Sequence, residues 1–187
     1  MYTFRIDDVS LNTDMDHLRQ MILEIEKVVD HHRLNLLLGI TPAVFDMSGK
    51  EGLTAQRAFP RILNAYSDHR LFYQINKVGV PEGLGAFGAD LAGHGLIHVD
   101  HRLLTREAQE MSILTSCSLV ESTIFIPPFN KWNAVTKEIC KEHNITLVKF
   151  EDGWRHLAYE AFNPNHPLYY FHTHDMTVDQ LRKRLHP

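Results

Sequence analysis

The sequence predicts an α/β fold with a parallel sheet, wound as a distorted, incomplete (β/α) barrel. Three observations predict it. Strand-like apolar runs alternate with amphipathic helical stretches along the chain, and about six such units in one small domain suit an incomplete barrel better than two sheets. Leu34–Ile40 is almost continuously apolar, as a strand buried on both faces of a parallel sheet must be. The residues able to do chemistry fall where these strands end, and carboxyl ends of strands are where α/β folds gather their sites.

Taken in order, Tyr2, Phe4 and Ile6 alternate with Thr3 and Arg5 in an opening strand that ends in Asp7-Asp8. Thr13 and Asp16 form a capping pair for a helix whose buried stripe is Leu18, Met21, Ile22, Ile25, Val28 and Val29. The strand at residues 34–40 stops at Thr41-Pro42, residues 46–70 are polar without a clear period, and 71–78 read as helical. Ala89–Ala92 is a short strand leading into His94. Thr105 caps a helix with Ala108, Met111 and Leu114 at threefold spacing, and Thr123–Ile126 is a strand broken by Pro127-Pro128. Asn130 is the expected cap of a helix carrying Trp132, Val135, Ile139 and Cys140 on one face. Residues 145–150 and 168–171 read as strands, and Thr177 with Gln180 opens the last helix as a capping box. With no repeat or linker, residues 1–187 read as one domain.

Composition narrows the partners. With 44% apolar and 22% charged residues the chain is of the soluble globular class, and its net charge of −4 removes the electrostatic case for nucleic acid. The one basic run, Arg182-Lys183-Arg184, complements the carbonyl end of the last helix. Cys117 and Cys140 form no CxxC, so neither a disulfide scaffold nor a thiolate zinc site is indicated. No secretory leader pattern opens the sequence and no apolar run reaches the length of a membrane span, so a cytoplasmic protein is expected. Oligomeric state stays open.

Gly83-Leu84-Gly85-Ala86-Phe87-Gly88 matches GxGxxG, but it is followed by a strand rather than by the helix whose amino terminus would hold a pyrophosphate. Dinucleotide binding is therefore not expected. Thirteen histidines are a stronger signal. His17, His31, His32, His69, His143, His156, His166 and His186 lie in polar segments and read as solvated surface. Asp7-Asp8 is a pair of adjacent carboxylates that can divide labour, one binding a cation and the other staying free as a base. In His94-Gly95-Leu96-Ile97-His98 the two imidazoles stand at i and i+4, which brings both onto one ion if the segment makes a helical turn. His101, three residues on, reads as surface or support rather than as a third ligand. One Asp and two His leave coordination positions open, the pattern of a catalytic metal; zinc suits the nitrogen ligands, with nickel, cobalt or iron as alternatives.

The succession FRIDDV, HGLIHVDHR with TREAQE, FIPPFNKWN, FEDGW and YYFHTHD resembles the polysaccharide deacetylase superfamily, the NodB-homology or carbohydrate esterase 4-like proteins. The likeness runs from residue 2 to about 176 and is nearest to members that act in bacterial surface-polysaccharide biosynthesis. It implies a NodB-type barrel and a metal-dependent hydrolase that removes acetyl from an N-acetylated sugar or glycan precursor. It further implies Asp7 as base, Asp8, His94 and His98 as metal ligands, and His172 as acid, with His174 as its rival. Pro128, Phe129, Trp132, Trp154 and His174 are the expected substrate contacts. Many members carry an arginine that orients the base two residues before the proline of the third motif; here that place is Ile126, which leaves Asp152 without its usual partner. A catalytically silent sugar-binding or regulatory domain is the alternative, and another metal-dependent barrel enzyme a third reading.

Overall fold

The computed structural model describes residues 1–45, 75–78 and 80–186. Among the described residues nine strands run in chain order: β1 Tyr2–Val9, β2 Leu34–Ile40, β3 Ala43–Phe45, β4 Ile75–Val78, β5 Asp90–Gly93, β6 Ile124–Phe125, β7 Thr146–Leu147, β8 Arg155–His156 and β9 Leu168–His172. Four α-helices accompany them within the described residues: α1 Met15–Val28, α2 Arg106–Leu119, α3 Ala134–Glu142 and α4 Val178–Leu185. Seven strands form one parallel sheet in the order β7-β6-β5-β2-β1-β9-β8, and β3 with β4 makes a separate antiparallel pair. Among the described residues β7 and β8 are unpaired edges, so the sheet is a half-barrel that does not close.

Strand alternation builds two layers. Phe4 and Ile6 of β1, Leu36, Leu38 and Ile40 of β2, and Tyr169 and Phe171 of β9 face outward. They pack against Leu18, Met21, Ile22 and Ile25 of α1 and Leu181 and Leu185 of α4. A second cluster, Ile113, Cys117, Phe125, Ile139 and Cys140, lies under α2 and α3. The inward face carries Leu37, Ala92 and Ile126 on one side and, on the other, Arg5, Asp7, Tyr170 and His172. The alternation read in β1 therefore separates helix layer from barrel interior, and Arg5 points into the barrel. Glu24 ties α1 to α4 by accepting from Arg182 Nε and Nη2 at 3.1 and 2.9 Å and from Lys27 Nζ at 2.7 Å.

Several local expectations are corrected. Asp14, rather than Thr13, caps α1 by accepting from the N–H groups of Asp16 and His17, while Thr13 Oγ1 is taken by the Ser10 N–H. Asn133 caps α3 in a reciprocal box with Thr136, which displaces Asn130 from that role and leaves Trp132 outside the helix. Of the stretch expected to be helical, residues 75–78 form β4 and 71–74 lie outside the described residues, as do the polar segment 46–70 and His69. Only Thr146–Leu147 of the expected strand 145–150 pairs, because Phe150–Asp152 closes into a 3₁₀ turn. The glycine-rich segment is a 3₁₀ turn, Leu84–Phe87, followed by β5. No helix among the described residues is long and apolar enough to cross a membrane.

Candidate metal centre and catalytic cleft

The site begins with a fault in β1. Its pairing with β2 slips between Ile6 and Val9, and Asp8 adopts φ 62°, a left-handed conformation that aspartate tolerates better than most residues. Asp7 keeps the inward direction set by Arg5, while the kink swings Asp8 elsewhere, so the two adjacent carboxylates diverge. Asp7 is 1% exposed, whereas the Asp8 side chain is 19% exposed.

His94 follows β5, and its backbone N–H donates to the Ile40 carbonyl at 2.8 Å. No helical turn follows. Residues 94–98 make an irregular bend at Gly95, φ +75°, where a Cβ would sit 2.8 Å from the Ile97 carbonyl oxygen and 3.0 Å from Pro128 Cγ. The bend brings the imidazoles together all the same, with ring centroids 5.1 Å apart. His94 Nε2 lies 3.1 Å and His98 Nε2 2.9 Å from Asp8 Oδ1. His101 is neither surface nor ligand. It is fully buried, bonded to the Val99 carbonyl and Ser112 Oγ at 3.0 Å each, and burial pushes its pKa down to about 4, which keeps it neutral.

The donor set of Asp8, His94 and His98 fits a divalent cation. The Ile126 carbonyl, 2.9 Å from His94 Nδ1, can only accept, so Nδ1 carries the proton and Nε2 presents a bare lone pair to the Asp8 carboxylate. Two acceptors face each other there. His98 Nε2 is buried and makes no hydrogen bond despite its closeness to Asp8. A cation resolves both features, and the three ligand atoms lie within 4.8 Å of one another.

A second cluster, His156, His172 and Asp175, has similar spacing and opposite hydrogen-bond logic. His156 Nδ1 accepts from the Ala158 N–H at 3.1 Å, so its Nε2 carries the proton and points it at Asp175 Oδ2, 3.1 Å away. The same oxygen accepts from the His172 N–H at 2.8 Å and from Nδ1 at 2.6 Å. The cluster is a carboxylate orienting two imidazoles, with His172 Nε2 left for other work. Burial pulls the His172 pKa down, but the Asp175 bond and the charges of Asp8 and Asp7 outweigh it and raise the pKa above its ordinary value. His156, expected on the surface, is thus a buried member of this cluster.

Asp7 has a partner that the sequence reading did not foresee. Arg5 Nη2 lies 2.9 Å from Asp7 Oδ2, and Arg5 is 0% exposed. Its guanidinium lies 4.9 Å from the Trp154 ring centroid and 4.6 Å from that of Tyr170, and Nη2 also donates to Asn130 Oδ1 at 2.5 Å. The signal was present, since Arg5 stands two residues before Asp7 on a strand and so shares its face.

The expected substrate contacts divide. Phe129, 47% exposed at φ 57°, sets its ring edge-on to His98 at 4.3 Å. His174 is 68% exposed, stacks on His172 at 5.4 Å, and brings Nδ1 to 3.8 Å from Asp8 Oδ2. Pro128 is buried beside Gly95. Trp154 is buried against Arg5 and offers no open face, and Trp132 is tied to Glu151 through Nε1 at 3.3 Å. Asp152 caps its own turn with Lys149.

No protein-family model matches the chain, and no curated protein matches it in sequence. Solved structures do match in shape. A CE4 family pseudoenzyme from Bacillus anthracis covers all of this chain with a TM-score of 0.56 at 10% identity. The chain spans 59% of that protein's length. A peptidoglycan N-acetylglucosamine deacetylase matches with 0.57 at 11% identity, over 98% of this chain and 79% of its own. Peptidoglycan deacetylase PdaC from Bacillus subtilis matches with 0.55 at 11% identity, over 100% of this chain and 81% of its own. At such identities the likeness carries architecture alone, and with the parallel half-barrel it shows that the chain shares the fold of these structures, a distorted, incomplete (β/α) barrel of the NodB type.

Proposed function

We propose that residues 1–187 form one catalytic domain, a metal-dependent hydrolase that removes acetyl from an N-acetylated sugar or glycan precursor. The observation that carries this reading is the convergence of a three-ligand cation site, Asp8, His94 and His98, with a buried carboxylate and a carboxylate-bound imidazole at the same strand ends. A divalent cation, for which zinc suits the two imidazoles, would polarise the acetamide carbonyl and lower the pKa of water.

The chain's own groups supply the proton traffic. Asp7, adjacent to ligand Asp8 yet turned away from it, takes the proton of the attacking water. His172, oriented through Nδ1 by Asp175, gives a proton from Nε2 to the departing amine. Its raised pKa favours the protonated form that this step consumes. Phe129 offers an exposed ring at the rim, the kind of face on which a sugar ring stacks. A cytoplasmic location accompanies the proposal, supported by Cys117 and Cys140 being free thiols rather than a disulfide.

The test is acetate release from nucleotide-linked and lipid-linked N-acetyl sugars by zinc-loaded protein, with Asp7→Asn alongside. The wild type should release acetate, and the variant should keep its metal and lose turnover. A zinc-loaded wild type that binds these sugars without releasing acetate would favour the silent-domain reading instead.

A further inference from the structure

We propose that Arg5 is the positioning residue of the base Asp7, supplying from within β1 the guanidinium that the resemblance expects at position 126. The inference rests on the hydrolase reading above and adds a residue and a geometry to it.

Three observations carry it. First, Arg5 and Asp7 are both shut off from solvent, at 0% and 1% exposure, and stand 2.9 Å apart. Replacing a buried ion pair by apolar residues of similar volume is often neutral or stabilising, so fold stability alone gives little reason to keep one here. Second, the guanidinium is packed on its faces and bonded at Nη2, while Nε and Nη1 are buried without a hydrogen-bond partner. Trp154 and Tyr170 hold its faces, and Asn130 Oδ1 accepts from the nitrogen that lies nearest Asp7. Asn130 does this from a left-handed backbone, φ 55°, directly after Phe129 at φ 57°. Phe129 is strained in that region, which asparagine tolerates better, and strain of this kind is held at sites where placement matters.

Third, the opposite side of Asp7 is an apolar wall. A Cβ built on Gly39 would meet Asp7 Oδ1 at 2.9 Å and Ile126 Cδ1 at 3.3 Å, so the carboxylate and the Ile126 side chain are neighbours above that glycine. The carboxylate is confined between Arg5 and this wall. Arg5 has no exposed surface, so its effect on the reaction passes through Asp7 rather than through contact with substrate. The charge that Ile126 cannot supply is therefore delivered from the strand that carries the base.

The test uses full-length protein carrying Arg5→Lys, Arg5→Met and the relocated pair Arg5→Met with Ile126→Arg. Each is assayed for zinc affinity by calorimetry, for kcat and KM of acetate release, and for the Asp7 side-chain position by crystallography. Arg5→Lys keeps a charge in the cavity and so guards against loss of folding. It should bind zinc as the wild type does and keep KM, while kcat falls about 10²-fold, the order that a misplacement near 1 Å costs. Ile126→Arg should restore about tenfold of the kcat lost in Arg5→Met, because it returns a guanidinium to the carboxylate.

Wild-type kcat in Arg5→Lys would overturn the proposal, as would zinc affinity falling in step with kcat, the sign of a merely structural residue. If no variant and no wild type releases acetate, the hydrolase reading fails and crystallography decides the positioning claim. Asp7 shifted in Arg5→Lys upholds it, and Asp7 unmoved refutes it.

Discussion

Gly39 offers a way to disturb the base without changing any charged group. It lies on β2 with its α-carbon facing the barrel interior, where an added methyl would stand 2.9 Å from Asp7 Oδ1, 3.3 Å from Ile126 Cδ1 and 3.4 Å from Asp7 Cα. Carbon–oxygen contacts settle near ~3.3 Å, so Gly39→Ala pushes the carboxylate oxygen by about 0.4 Å. The oxygen has little room to swing away, because Arg5 Nη2 stands 2.9 Å from the other oxygen, in ion-pair contact without a hydrogen bond, and the cavity is closed. If a 1 Å error costs about 10²-fold, a shift of this size costs roughly tenfold in kcat. The overpacking itself destabilises by about 1 kcal/mol, at the low end for an inserted methyl, because one oxygen and one methyl share the displacement. The assay pairs kcat and KM for acetate release with zinc calorimetry and a urea midpoint. Zinc affinity should be unchanged, since Asp8, His94 and His98 lie beyond the contact. Wild-type kcat in a correctly folded Gly39→Ala protein would refute the claim that Asp7 needs its place.

Further outcomes follow from the same geometry. His172→Ala should lower kcat by about 10²–10⁴-fold at equal metal content and His174→Ala by much less; a larger loss at His174 would reverse the assignment of the acid. Turnover should fall as pH rises through the raised pKa of His172, and Asp175→Asn, which takes the negative charge from the bond that raises it, should move this alkaline limb to lower pH in a kcat–pH profile. An unmoved limb would mean that another group is the acid. Hydrogen bonds from Arg182 and then Lys27 lower the Glu24 pKa from 4.5 to about 2, so its stabilisation is complete above 4.5 and is lost as pH falls toward 2. Glu24→Gln should therefore be less stable than wild type at pH 7 and decline less steeply on acidification, as followed by thermal unfolding.

The parts of this molecule legible from sequence were those in which a local pattern decides the outcome. Periodicity marked β1, β2 and β9, and the Thr177 box opened α4 as read. The candidate site residues Asp7, Asp8, His94 and His98 stood out because few patterns place carboxylates and imidazoles where apolar runs stop. What failed depended on tertiary choice. Thr13 and Asp14 are both competent caps, and only the chain path from Ser10 decides between them. The HxxxH spacing suggested a helix, but the αL bend at Gly95 reaches the same convergence by another route. Alternation in β1 set Arg5 on the face opposite Phe4 and Ile6 but left open what that face meets, since a sequence cannot tell a solvent face from the interior of a small barrel. His156 was missed for a related reason: its role comes from a two-residue strand beside β9, too short to leave a periodic trace.

The central claim is that Asp8, His94 and His98 form the metal site while the similar cluster of His156, His172 and Asp175 does not. Calorimetric titration of chelator-stripped protein with zinc tests it directly, comparing wild type with Asp8→Ala, His94→Ala, His98→Ala and His156→Ala. One zinc per chain should bind to the wild type and to His156→Ala alike, while each ligand variant should lose at least about 10²-fold in affinity, beyond what loss of a supporting contact costs. Absence of stoichiometric binding, or a loss at His156 as large as that at His98, would contradict the account.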